Sequence, residues 1–205
     1  MKKILLVVVM ILGVQFSSVA QDMRTLFLEA PDSLFPLLDK SLRADCADFL
    51  EAGMKYAVTN KLEGKSTLVE LTPDYMLLET TSSSTVQMMK LAADDGFIVC
   101  VVNTVCAEAA DSRVRFFDSS WKKLPSASLF AAPAIRDFFT SDSAANDFID
   151  LCDIYLVALT LNAAEMTMIA EYTMPSYMSR EDAEKVLPHL QKIIYHWNGT
   201  RFIRQ

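Results

Sequence analysis

The sequence GFIVCVVNTVC occupies residues 96–106 and is the most continuous apolar, β-branched run after the N-terminal segment. Asp94 and Asp95 precede Gly96 and predict a tight turn at the start of the run. A run of this composition is too short to cross a bilayer and is typical of a strand covered on both faces. We therefore expect residues 97–106 to form the central strand of a sheet on which the rest of the chain is built.

Short segments of two-residue periodicity, separated by turn sequences, surround this run. Their short and regular spacing favours a meander of successive antiparallel strands. The strands predicted around the run are Ser66–Leu71, Tyr75–Thr81, Thr85–Leu91, Ser112–Phe117 and Trp121–Leu124. Further along, Ile154–Leu161 and Glu165–Thr173 predict a separate hairpin that turns at residues 162–164.

Helical periodicity is clearest between Pro31 and Gly53, where apolar residues recur at spacings of three and four. Ser33 is the predicted N-cap and Gly53 the glycine that follows the helix. Arg43 falls on the opposite, charged face, which we interpret as solvated. A later helix is predicted to begin after Ser179, and residues 134–151 predict two short helices or one broken helix.

The chain closes with Lys192–Trp197 and Thr200–Arg204 on either side of Asn198-Gly199. Asn-Gly favours a two-residue type I′ turn, because both central residues of that turn need positive φ. Such a turn would set Trp197 opposite Thr200, and Tyr195 opposite Phe202 as an aromatic pair.

Together these elements predict an α+β fold, in which antiparallel meander sheets carry an N-terminal helix and later helices packed on them. Residues 21–205 are expected to form a single domain. The similar order of apolar, aromatic and turn residues in Val114–Trp121 and Ile193–Thr200 suggests two related halves, residues 21–133 and 134–205. Chance similarity between two hairpins is the alternative.

Residues 1–20 have the three parts of a secretory signal peptide. Lys2 and Lys3 precede the apolar run Ile4–Val14, and Ser18-Val19-Ala20 supplies the small residues for cleavage between Ala20 and Gln21. The alternative, an uncleaved anchor, would need about 20 apolar residues to span a bilayer. We therefore expect an exported protein of the periplasm or cell envelope, without a membrane span after signal removal.

The chain carries a formal net charge of −7 and only five glycines among 205 residues. An acidic surface repels nucleic acid and anionic lipid, so neither is an expected partner. Few glycines also argue against glycine-rich phosphate-binding loops.

Cys46, Cys100, Cys106 and Cys152 allow disulfides in an exported chain, and they equally suit four buried thiols in apolar surroundings. Cys100 and Cys106 lie on one predicted strand, separated by roughly 20 Å, so they cannot bond to each other. The sequence does not decide between these alternatives.

No catalytic, cofactor-binding or metal-binding residue can be assigned from the sequence. Ser–His–acid and Cys–His patterns are absent, and His189 and His196 lack the spacing of a metal site. An acidic cleft would require carboxylates that converge, and Asp94, Asp95, Glu108 and Asp111 are the acids to compare. Met166 and Met168 share one face of a predicted strand. They are candidates for a partner surface if that face is exposed and otherwise fill the core.

Four segments resemble an uncharacterised exported family of Bacteroides-type bacteria: Asp48–Met54, Leu71–Tyr75, Val99–Cys106 and Asp111–Asp118. The resemblance covers most of the chain and implies no activity. It also implies a second cysteine four residues after Cys106, where this chain has Ala110. In element order the chain is also similar to β-lactamase-inhibitor-like periplasmic domains.

These observations favour a non-enzymatic exported module that binds a protein or peptide. A hydrolytic enzyme with an unrecognised acidic cleft, and a structural envelope component that pairs through a sheet edge, are the alternatives.

Overall fold

The computed structural model describes residues 21–54, 56–141 and 148–205. Its first sheet has seven antiparallel strands in sequence order: β1 Val58–Thr59, β2 Lys65–Leu71, β3 Tyr75–Thr81, β4 Ser84–Ala93, β5 Gly96–Cys106, β6 Ala110–Asp118 and β7 Lys123–Leu124. Its second sheet has the order β11-β10-β9-β8, from β8 Val157–Asn162, β9 Thr167–Tyr172, β10 Ile193–Trp197 and β11 Phe202–Arg204. The helices are α1 Met23–Glu29, α2 Lys40–Glu51, α3 Ser126–Leu129 and α4 Arg180–Val186. The predicted α+β class and meander are confirmed.

β5 is the central element that the sequence predicts. It pairs with β4 and β6 along most of its length, and residues 99–102 have no exposed surface. Val99 and Val101 face α1 and α2, whereas Cys100 and Val102 face the second sheet. The first sheet is therefore a middle layer between helices and a second sheet, which explains why β5 is apolar at successive positions.

The helix that the periodicity predicts between Pro31 and Gly53 is shorter in the structure. A 3₁₀ turn spans Asp32–Leu34, and α2 begins only after Asp39, whose side chain accepts a hydrogen bond from the Leu42 N–H at 3.1 Å. The predicted N-cap, Ser33, is therefore wrong. Gly53 does follow the helix end with φ +70°, as predicted. Neither α1 nor β1 is predicted from the sequence.

Arg43 explains why the segment before α2 is not helical. The predicted solvated position is wrong, because this side chain is 1% exposed. Its guanidinium donates to the main-chain oxygens of Leu28, Ala30 and Leu38 and to the Asp32 carboxylate, at 2.9–3.2 Å. Residues 28–38 thus wrap around Arg43 and supply acceptors to both Nη groups of the buried guanidinium, whereas its Nε is buried without a hydrogen-bond partner among the described residues.

The last hairpin differs from its predicted register by two residues. Trp197 pairs with Phe202 and Tyr195 with Arg204, so the loop is Asn198–Arg201 and the aromatic contact joins Trp197 to Phe202 at 5.3 Å. The Asn198 carboxamide oxygen accepts hydrogen bonds from the main-chain N–H groups of residues 200 and 201. This side-chain turn stabilises a four-residue loop in place of the two-residue type I′ turn.

All four cysteines are free thiols. Cys46, Cys100 and Cys152 are buried, and burial raises the pKa of Cys46 to about 11 and also raises those of Cys100 and Cys152. The expectation of apolar surroundings is wrong for Cys106, which is exposed because it lies at the end of β5, beyond the buried residues of that strand.

The predicted halves divide the strands cleanly, since the first sheet lies within residues 21–133 and the second within 134–205. Their origin by duplication stays a prediction. The signal segment 1–20 lies outside the described residues, and so do residues 142–147 of the segment 134–151 that was predicted to be helical.

Candidate functional site

β6 has one edge that is only partly paired. It pairs with β5 from Ala110 to Asp118, but with β7 only through Phe116 and Phe117. Pro125 follows β7 directly and ends the pairing, because proline has no N–H to donate and the chain turns into α3. Residues 111–115 therefore form an open strand edge, called here the β6 edge.

Ser112 and Val114 direct their main-chain groups out of this edge. The Asp118 N–H donates to the Lys122 oxygen at 3.0 Å, which places the main-chain groups of Asp118 on the β7 side. Alternate residues of a strand point to the same edge, and the β5–β6 register runs without a bulge. Within the described chain, the main-chain N–H and C=O of Ser112 and Val114 have no strand partner on that side.

A groove of about 410 Å³ lies beside the β6 edge. Its floor includes Val114 together with Val157 and Leu159 of β8, and Phe130 and Ala131 form part of its opposite wall. The volume is within the range of ligand sites. The groove therefore combines unpaired main-chain groups with apolar side chains along one strand.

The opposite wall belongs to the connector, residues 125–134, which joins β7 to the 3₁₀ turn Ile135–Phe138. Phe130 holds the connector against the second sheet through an edge-to-face contact with Tyr195, with ring centroids 5.0 Å apart. The Tyr155 hydroxyl donates to the Pro133 oxygen at 3.0 Å. These contacts fix the width of the groove.

The far side of the connector borders a second cavity of about 360 Å³, which Asp137 and Arg204 help to line. The Ala134 N–H donates to the Asp137 carboxylate at 2.7 Å, and Arg204 Nη1 lies 3.0 Å from it. These hydrogen bonds and the arginine charge lower the pKa of Asp137. Asp137 therefore links the end of the connector to the C-terminal hairpin as a carboxylate.

The β8 edge, in contrast, is closed by side chains from the first sheet. Gln87 accepts from the Leu161 N–H at 3.0 Å and donates to the Leu159 oxygen at 3.2 Å. The Leu159 N–H donates to Ser112 Oγ at 2.9 Å, and the Val157 N–H donates to the Asp111 carboxylate at 3.3 Å. These contacts occupy the groups that an additional strand would need, so this edge is protected from pairing.

Two arginines lie on the face of β6 opposite to that of Val114. Arg113 is exposed, and Arg115 is half-buried and donates to the Asn103 carboxamide oxygen at 2.6 Å. Arg115 Nε is buried and has no hydrogen-bond partner in the described part of the chain. Burial, together with the positive charge of Arg113, lowers the pKa of Arg115.

The chain matches a known family over most of its length. Residues 15–202 match the family described as "Protein of unknown function (DUF3256)". The chain belongs to this family. It is also similar to a solved structure titled "Structure of a domain of an uncharacterized protein from Porphyromonas gingivalis W83", with a TM-score of 0.77 and 24% identity. The alignment covers 91% of this chain and 99% of the other.

At this identity the structural likeness shows the fold alone. No curated protein matches the chain. The family and the source of the solved structure confirm the predicted resemblance to an uncharacterised family of Bacteroides-type bacteria. The similarity to β-lactamase-inhibitor-like domains stays a prediction.

In this DUF3256 chain the methionines predicted as a candidate partner surface lie against the core. Met168 has no exposed surface, and Met166 is half-buried and packs against the same cluster. Met168 lies on the inner face of β9, which packs on the first sheet. The exposure that the partner hypothesis requires is therefore missing at Met168. Of the predicted cleavage residues, Ala20 lies outside the described residues. Gln21 is half-buried, and its main-chain oxygen accepts from Lys90 Nζ at 3.3 Å.

The acidic residues chosen for comparison do not converge. Asp94 and Asp95 lie in the turn before β5, whereas Glu108 and Asp111 lie in or just after the turn that follows it. The length of β5 separates the two pairs by roughly 30 Å at about 3.3 Å per residue. Across the described ranges, no group of three or more histidine, cysteine or acidic side chains could hold a metal ion, and no helix is long and apolar enough to cross a membrane.

Sequence reasoning missed the β6 edge as a site. It predicted the strand Ser112–Phe117 and a short strand after it, but it could not show which edge stays open. Pro125, directly after the short strand, is the signal that could have indicated it.

Proposed function

We propose that this protein is an exported, non-enzymatic binding module of the periplasm or cell envelope, which holds an extended segment of another protein as an added strand on the β6 edge. The observation that carries the proposal is the open β6 edge beside an apolar groove. Strand addition gives affinity through main-chain hydrogen bonds and specificity through pockets for alternate side chains. Both components lie together at this position. The signal sequence at residues 1–20 supports export.

The contrast with β8 strengthens the proposal. Exposed strand edges promote aggregation, and proteins usually block them. The fold uses Gln87, Ser112 and Asp111 to block the edge of β8. Among the described residues, no side chain blocks the main-chain groups of Ser112 and Val114 on the β6 edge, although the Ser112 side chain itself helps to block the edge of β8. An unblocked edge next to a blocked one favours a retained binding surface.

The expected affinity is modest. An added strand could bond to the N–H and C=O groups of Ser112 and Val114, and each such hydrogen bond contributes about 0.5–1.5 kcal/mol. Apolar contacts in the groove add to this, and ordering the peptide opposes it. A short peptide should therefore bind with a Kd on the order of 0.1–1 mM.

The test uses the purified protein and a capped hexapeptide of alternating valine and threonine. The amide protons of Ser112 and Val114 are followed by NMR. Strand addition should shift both signals and slow their exchange with solvent. The control is the same peptide with alternate main-chain nitrogens methylated, which cannot donate hydrogen bonds from one edge. It should neither shift the two signals nor slow their exchange. Equal binding of the methylated peptide, or unchanged exchange at Val114, would contradict the proposal.

A matched pair of variants provides the control. Val114→Pro removes the outward N–H at an edge position where proline does not break the β5–β6 ladder, and it should weaken binding about tenfold or more. Val114→Thr keeps the N–H and the branched shape and should bind within about threefold of the native protein. Circular dichroism establishes that both variants are folded. Self-association through the β6 edge, measured by analytical ultracentrifugation, would instead support a structural envelope component.

A further inference from the structure

We propose that the segment bound at the β6 edge carries an aspartate or glutamate opposite Arg113, with a β-branched apolar residue on each side of it. This inference rests on the proposed function and specifies the partner's chemistry. It follows from the two faces of β6 and from the charges that lie on one of them.

The two faces of β6 differ in chemistry. Val114 packs with the cluster that faces the second sheet, and Phe117 packs with the cluster that faces the helices. Because side chains alternate along a strand, Arg113 and Arg115 share the face of Phe117. Side chains that lie opposite each other on neighbouring strands share a face. A residue opposite Val114 would therefore enter the apolar groove, and the residue opposite Arg113 would meet the arginines.

Among the described residues, no carboxylate serves as a counter-charge for the arginines on this face. Arg24, Arg43, Arg180 and Arg204 each contact a carboxylate within 3.0 Å. No carboxylate of the described residues lies within ion-pair distance of Arg113 or Arg115. The nearest acid along the strand, Asp111, accepts the Val157 N–H instead. In a chain of net charge −7, two neighbouring cations without a carboxylate form a local positive site.

A buried donor gives a second, independent reason. Arg115 Nε is shielded from solvent and makes no hydrogen bond among the described residues, although Nη2 is bonded to Asn103. Unpaired buried donors are unfavourable, and a carboxylate is the acceptor that best matches a guanidinium. An acidic side chain on an added strand would lie beside both arginines and could supply that acceptor.

The acidic net charge does not remove this preference. Interactions between exposed charges are screened beyond about 8 Å at physiological ionic strength. The negative charge of the whole protein therefore slows the approach of an acidic segment more than it weakens the local contact. The preference for acid over a neutral residue should decrease in concentrated salt, whereas binding of a neutral peptide should not.

The experiment compares three capped hexapeptides, in which valine alternates with glutamate, threonine or lysine, on the native protein. The glutamate peptide should bind about three- to tenfold more tightly than the threonine peptide, and the lysine peptide should be weakest by a similar factor. Arg113→Glu should reverse the order. Arg180→Gln, a charge change on α4 distant in sequence, should leave the order unchanged.

Protection of the Val114 amide separates the two proposals. If the threonine peptide protects Val114 but the glutamate and lysine peptides bind equally well, or lysine is preferred, the acidic-partner inference is overturned and the binding edge stands. If none of the three peptides protects Val114, both fail. The reversed order in Arg113→Glu, with Val114 protected in each complex, would support both.

Discussion

Arg43 offers the sharpest test of how the N-terminal layer is held together. It is 1% exposed, and its guanidinium donates to three main-chain oxygens, those of Leu28, Ala30 and Leu38. The Asp32 carboxylate, its ion-pair partner at 2.9 Å, is 65% exposed. Arg43→Met would leave these three main-chain oxygens without their donor in largely buried surroundings. It would also remove the ion pair with Asp32, but that pair is weak because solvent screens it.

The expected loss follows from these contacts. A buried acceptor left without its partner costs about 1–3 kcal/mol, and an exposed ion pair contributes about 0–1 kcal/mol. The Leu28 oxygen is only partly buried and will recover some hydration. We therefore expect Arg43→Met to lower the free energy of unfolding by about 3–5 kcal/mol, a large share of the 5–15 kcal/mol typical of a domain. Asp32→Asn should cost less than about 1 kcal/mol.

Urea unfolding followed by circular dichroism measures both changes. Arg24→Met serves as the matched control, because Arg24 contacts Asp48 and Glu51 on the surface of the same layer and its side chain is 35% exposed. Its loss should stay near or below 1 kcal/mol. If Asp32→Asn destabilises as much as Arg43→Met, the ion pair holds the segment and the reasoning from the main-chain oxygens is refuted. A loss below 1 kcal/mol for Arg43→Met would refute it as well.

Three further predictions concern the second sheet, the thiols and acid stability. Gln87→Leu should destabilise the fold by about 2–4 kcal/mol in urea unfolding, because it leaves the Leu161 N–H and the Leu159 main-chain oxygen without partners. A thiol reagent should modify Cys106 rapidly in the native protein, and the three buried cysteines should react only on unfolding. The pKa of Asp137 is lowered in the folded state. Its contact with Arg204 therefore stabilises the fold fully at pH values above the unfolded-state pKa near 3.8, and this stabilisation is lost as the pH falls through the folded-state pKa. Thermal unfolding of Asp137→Asn should therefore approach that of the native protein as pH falls from 5 to 3.

The central part of the fold could be predicted because its pattern is local. Residues 97–102 are apolar at successive positions, which favours a strand that is shielded on both faces, and the turn at residues 72–74 separates two segments of clear alternation. The bounds of β3, Tyr75–Thr81, agree with the prediction residue for residue. The hairpin of β8 and β9 likewise follows from its own sequence.

Errors arose where distant residues compete with the local pattern. Arg43 has the spacing of a solvated helix face, but residues 28–38 fold over it and supply acceptors that helical periodicity cannot reveal. Asn198-Gly199 favours a two-residue turn, but the Asn198 side chain bonds to residues 200 and 201 and lengthens the loop. Cys106 has the apolar neighbours of a buried thiol, but it lies past the covered part of β5.

The candidate site shows the same division. The amino-acid sequence by itself determined the strand at residues 112–117, the short strand after it and Pro125, because alternation and the missing N–H of proline act over a few residues. Only the tertiary structure decided that the edge of β8 is closed by Gln87 and Ser112 while the β6 edge stays open. The physical reason is that a main-chain group finds its partner according to which sheet packs beside it, and that packing joins residues more than 70 positions apart.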